Sequence, residues 1–68
     1  MAVTILLNGE PREVPEGTSL RGLIELLELR HEQVAIEVNR RIVRREQRGD
    51  TRLAPGDEVE LVTLVGGG

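Results

Sequence analysis

The sequence predicts an α+β domain in which one mixed sheet of four to five strands packs on one helix. Three observations carry this. Short β-branched and aliphatic runs stand at both ends of the chain, with a single stretch of helical spacing between them. Asn-Gly, Asn-Arg and Pro-Gly pairs punctuate the runs as tight turns. The last run has no hairpin to any predecessor, so it must return across the domain to find a neighbour.

The elements follow in order. Val3-Thr4-Ile5-Leu6-Leu7 forms the first strand, closed by Asn8-Gly9. Both central residues of a type I′ turn need φ > 0, which Asn and Gly tolerate. Arg12-Glu13-Val14 is the second strand, stopped by Pro15-Glu16-Gly17. Pro11 and Pro15 bring no ladder donor, so this strand belongs at a sheet edge. Thr18-Ser19 offers a capping hydroxyl, and Leu20, Leu23, Ile24 and Leu27 fall at i, i+3, i+4 and i+7, predicting a helix over 20–29. Gly22 costs this helix about 1 kcal/mol against alanine, so packing rather than propensity must hold it. Leu26 and Leu29 lie off the stripe, flanking it or closing its C-terminal end.

Val34-Ala35-Ile36-Glu37-Val38 is the third strand, and Asn39-Arg40 turns it into Ile42-Val43. Arg44 to Asp50 reads as a solvated connection with at most one helical turn. Ala54-Pro55-Gly56-Asp57 fits a type II turn, with Pro at i+1 and Gly at i+2. The last strand runs from Glu58 to Val65. Its long return places it beside the first strand, in parallel, at the sheet centre. That is the β-grasp topology of ubiquitin-like domains. Counting in twos, Val3, Ile5, Leu7, Val59 and Leu61 face the helix, and Leu6, Val62 and Leu64 face away. A one-layer sheet leaves the second group uncovered, as a candidate partner-binding surface.

Composition narrows the function. Sixty-eight residues make one domain, and its 22 Leu, Ile and Val residues must form the core without any Phe, Tyr or Trp. A core of that size nets only about 3–5 kcal/mol, too little to hold a large buried active site. Without cysteine there is no disulfide, thiolate nucleophile or Cys-based zinc site. Twelve acidic residues against nine basic ones, all arginine, give a net charge of −3 and no nucleic-acid footprint. Lysine is absent; arginine bias explains this, although a chain with a reactive acyl end also gains by lacking lysine amines. No apolar run reaches the roughly 18 residues of a membrane span, and Met1-Ala2-Val3 lacks the basic start of a signal peptide. The expectation is a cytoplasmic domain that contacts neither membrane nor nucleic acid.

Nothing in the chain composes a catalytic site. His31 is the only imidazole, and Thr4, Thr18, Ser19, Thr51 and Thr63 have no positioned base. Glu28 and His31 at i, i+3 make two ligands, which close no metal site. There is no glycine loop for phosphates, so no cofactor is expected to bind and any nucleotide chemistry falls to a partner. That leaves Gly66-Gly67-Gly68. Three glycines after a strand fit a frayed end, but they also fit a tail that threads a narrow tunnel. Extended, they reach about 10 Å beyond a domain of residues 1–65. The α-carboxylate of Gly68 becomes an electrophile once an ATP-using partner turns its oxygen into a leaving group.

The β-grasp pattern, Ala54-Pro55-Gly56-Asp57, the strand after it and the ending Val65-Gly66-Gly67-Gly68 resemble the ThiS family of sulfur carriers in thiamine biosynthesis. Asn8-Gly9-Glu10 and Val38-Asn39-Arg40-Arg41-Ile42-Val43 are similar to that family too, so the resemblance covers essentially the whole chain. The interior motifs are shared with TGS domains, and the di-glycine end separates the carriers. The resemblance implies adenylation of Gly68 by a ThiF-like enzyme using ATP. Sulfur from a donor protein would then form a thiocarboxylate, and a ThiG-like thiazole synthase would receive it. On this reading the chain is a co-substrate rather than an enzyme, with Gly66 and Gly67 threading the partner's site. The alternatives are a MoaD-like carrier for molybdopterin, a ubiquitin-like protein modifier and an isolated TGS-like binding module. MoaD carriers tend to be longer, with an aromatic approach to Gly-Gly where this chain has Val62-Thr63-Leu64-Val65.

Overall fold

The computed structural model describes residues 1–64. Its strands are β1 (Ala2–Leu7), β2 (Glu10–Pro15), β3 (Val34–Val38), β4 (Arg41–Ile42) and β5 (Glu58–Thr63). The helix α1 spans Leu20–Leu26, and 3-10 turns occupy His31–Gln33 and Arg45–Gln47. Five strands form one sheet in the order β2-β1-β5-β3-β4. β1 and β5 pair in parallel at the centre, and every other pairing is antiparallel. This is the mixed sheet with one helix of the β-grasp fold.

Local chemistry explains each element. Asn8 (φ 52°) and Gly9 (φ 85°) are both left-handed, as a type I′ turn demands, and Leu7 pairs with Glu10 across it. That closing pair fixes the alternation of the ladder. Pro11 opposite Leu6 and Pro15 opposite Ala2 therefore fall on non-hydrogen-bonded positions, where an edge strand loses nothing by lacking N–H. Gly56 (φ 84°) turns the chain before β5, and the Asp57 N–H donates to the Ala54 carbonyl at 3.1 Å.

The helix is shorter than its apolar stripe predicts. Ser19 caps it by accepting the Gly22 N–H at 3.1 Å. It stops at Leu26 because Glu28 turns left-handed (φ 59°). Glu28 N–H then donates to the Glu25 carbonyl and Leu29 N–H to the Ile24 carbonyl, the two reversed bonds of a Schellman ending. Glutamate in this conformation costs about 1–2 kcal/mol, a strain that glycine would not carry. The strand predicted at Ile42-Val43 is instead Arg41–Ile42, although the Val43 N–H still donates to the Ile36 carbonyl at 3.1 Å.

The core lies between α1 and one face of the sheet. Ile5, Val14, Leu20, Leu23, Ile36, Leu53 and Val59 are buried together, with Val3, Leu7, Leu27 and Leu61 packed partly buried around them. The face assignment from alternation therefore holds, Leu61 included. One expectation needs correction: Arg44 to Asp50 is not wholly solvated, because Arg48 is buried at 5% exposure. Its Nη1 donates to the His31 carbonyl and its Nη2 to the Val34 carbonyl, each at 2.8 Å, so it fastens this connection to the start of β3.

Candidate functional site

β5 is the last strand before the glycines in the sequence, so the contacts holding this strand fix the described chain nearest to them. Two asparagines, each the first residue of a two-residue hairpin turn, grip β5 from opposite sides. Asn39 (φ 52°) donates its backbone N–H to the Glu58 carbonyl at 2.7 Å and accepts the Glu58 N–H on Oδ1 at 3.0 Å. Its Nδ2 donates to Asp57 Oδ1 at 3.1 Å, tying the turn before β5 into the same clamp. Farther along, Asn8 accepts the Leu61 N–H on Oδ1 at 2.8 Å and donates Nδ2 to the Leu61 carbonyl at 3.1 Å. The side-chain amide stands in for a ladder partner where β1 has ended. Past the strand, the Leu64 N–H donates to the Gln33 carbonyl at 2.6 Å, so the backbone is anchored up to the last described residue.

Gly66, Gly67 and Gly68 lie outside the described residues. The other predicted site residues are divided. Val62 and Leu64 are more than half exposed, whereas Leu6 is half-buried. Leu6 pairs in register with Glu58, which leaves Val62 about 13 Å farther along the strand at ~3.3 Å per residue. Glu60 stands between them. Leu6 borders a shallow pocket with Glu37, Arg40, Glu58 and Glu60, while Val62 borders a second with Ala35 and Ile42. The uncovered face thus ends on the exposed Val62, opposite Ala35, and before it runs a row in which Glu37 stands between Glu60 and the exposed Ile42.

Residues weighed for catalysis remain dispersed. His31 opens the first 3-10 turn, and its Nε2 lies 3.5 Å from Glu25 Oε2 instead of meeting Glu28. Among the described residues no three His, Asp or Glu side chains gather as a metal site. Sequence reasoning missed the two asparagine clamps and Arg48. The clamps had a legible cue, since Asn opens both type I′ turns beside a strand. Arg48 had none, being one arginine within a run of charged residues.

The sequence matches the ThiS family over residues 5–68. The chain belongs to the ThiS family. The sulfur carrier protein ThiS of Escherichia coli is 31% identical over 64 residues, which span 94% of this chain and 97% of that protein. A thiazole synthase of Magnetococcus marinus is 42% identical over 64 residues, and the chain spans only 20% of its length. The crystal structure of the thiamine biosynthesis protein ThiS from Geobacter metallireducens superposes with a TM-score of 0.82 at 30% identity, covering 97% of this chain and 100% of that one. The β-grasp fold and family membership expected from the sequence are both borne out. No helix among the described residues is long and apolar enough to cross a membrane.

Proposed function

We propose that this ThiS-family chain is the sulfur carrier for thiazole formation in thiamine biosynthesis, with sulfur held as a thiocarboxylate on Gly68. One observation carries the reading: the family match runs through the glycine tail to residue 68, and the E. coli sulfur carrier aligns over nearly its full length. The chemistry needs nothing catalytic from this chain. A Gly68 carboxylate oxygen attacks the α-phosphate of ATP in the site of a ThiF-like enzyme, and pyrophosphate leaves. Sulfide-level sulfur (HS⁻) released by a donor protein displaces AMP from the acyl-adenylate, and the resulting thiocarboxylate delivers it to a ThiG-like thiazole synthase. A thiazole synthase carrying a segment 42% identical to this chain supports that last partner.

In this reading residues 1–65 are the handle and 66–68 the working end. Gly66 and Gly67 enter the partner's tunnel, where a Cβ would block close backbone approach. Leu6, Val62 and Leu64 belong to the surface the partners grip, with the exposed Val62 and Leu64 nearest the tail. The test incubates the chain with ATP, a ThiF-like enzyme and a sulfur donor, then weighs it intact. Replacement of one oxygen by sulfur at Gly68 is expected, and Gly67→Val should abolish it without moving the melting temperature. An unmodified wild-type chain that nevertheless binds the enzyme would overturn the carrier role.

A further inference from the structure

Arg48 is buried at 5% exposure, yet among the described residues no carboxylate lies within salt-bridge distance of it. Two of its five N–H groups reach backbone carbonyls, and Nε is buried without a partner. A buried guanidinium held only by neutral carbonyls keeps its full charge uncompensated, and such a charge ordinarily finds a counter-ion. Burial, and then the neighbouring Arg45 guanidinium, lower its pKa from the ordinary arginine value.

The surroundings do not offset that charge. Arg48 borders a cavity of about 240 Å³ with Arg21, Arg45, His31 and Glu32. Three arginines against Glu32, and Glu25 beside Arg21 and His31, leave one net positive charge here on a chain of net charge −3. The carboxylates nearby hold these cations loosely: Arg45 Nη2 lies 3.3 Å from Glu32 Oε2, and Arg21 Nε lies 3.9 Å from Glu25 Oε2, all on exposed side chains. Both arginines can therefore swing to a better anion. The cavity falls below the roughly 300 Å³ of ordinary ligand pockets, so it suits one compact group rather than a whole molecule. Guanidinium forks match the several oxygens of a phosphate.

We infer that the cavity between α1 and the two 3-10 turns is a phosphate-binding site, in which Arg21 and Arg45 grip the oxygens and Arg48 supplies charge from beneath. The 3-10 turn that contributes His31 and Glu32 to the cavity also carries Gln33, whose carbonyl accepts the Leu64 N–H. Inorganic phosphate and the phosphate of a nucleotide share the required chemistry. Phosphate binding here needs only the cavity and its three arginines, and is independent of the sulfur-carrier role.

Two-dimensional amide NMR of the full chain, titrated separately with orthophosphate and AMP at constant ionic strength, tests it. Saturable shifts are expected at Arg21, His31, Arg45 and Arg48, and Arg21→Gln/Arg45→Gln should weaken binding at least tenfold. Arg40→Gln/Arg41→Gln, which removes equal charge elsewhere, should leave the affinity unchanged. Tighter AMP binding would identify a nucleotide as the source, and equal or weaker AMP binding inorganic phosphate. Shifts that never saturate, match those from chloride, or weaken equally in both double variants would overturn the site. Melting curves confirm that each variant is folded.

Discussion

On the helix side of the sheet, Ile5, Val14, Ile36 and Val59 are all buried and aliphatic. On the other side, Thr4, Glu58, Glu60 and Val62 are exposed, and Glu37 stands opposite Glu60 across the β3–β5 ladder. The first face follows from the hydrophobic effect alone. The second does not, because like charges directly opposite in a ladder are destabilising. A face that tolerates such a pair, and leaves Val62 and Ile42 uncovered, is not arranged for folding stability. The carrier role proposed above, in which partners grip this face, would give it a reason.

Substitutions can break this contrast, beginning with the buried face. Ile5→Ala should cost about 2–5 kcal/mol, most of the stability available to a domain of this size, and urea unfolding should find the variant largely unfolded at mild temperature. Next in size is the seam between β1 and β5. Asn8→Gly keeps the left-handed turn but removes the amide gripping Leu61, so about 1 kcal/mol should be lost, and Asn8→Ala should lose more because alanine also dislikes φ > 0. Equal losses in the two variants would show that the clamp, not the turn, carries the whole effect.

The open face should respond much less. Glu60→Gln relieves the repulsion with Glu37 and should stabilise by a few tenths of a kcal/mol at low salt, fading at higher ionic strength. Smallest of all in stability is Val62→Glu, expected within about 0.5 kcal/mol of wild type. Its effect should appear instead as weaker binding to the ThiF-like enzyme, the thiazole synthase or both, measured by calorimetric titration. Unchanged affinity for both would remove the Val62 end from the partner surface.

Much of this molecule was legible residue by residue. Asn8-Gly9 demanded a type I′ turn, Pro11 and Pro15 demanded an edge, and Leu20, Leu23 and Ile24 demanded a buried helical stripe. Each demand acts within a few residues of its cause. The helix end was misjudged by the same logic, since nothing in the apolar spacing signals that Glu28 will accept a left-handed backbone. Sequence similarity located the candidate working end at Gly68, and chain chemistry explained why glycine suits it.

Contacts between distant segments were decided by tertiary structure. The parallel register of Leu6 with Glu58 separates Leu6 from Val62 and puts Glu60 between them, because pairing offset is a property of two strands together. Asn8 meets Leu61 fifty-three residues away for the same reason. Arg48 is the sharpest instance. Its neighbours Gln47 and Gly49 are exposed, and only the packing of its loop against the start of β3 turns one arginine among nine into a buried cation. Local sequence sets backbone preferences and facing patterns, whereas burial and counter-charge depend on which remote groups the completed fold brings within reach.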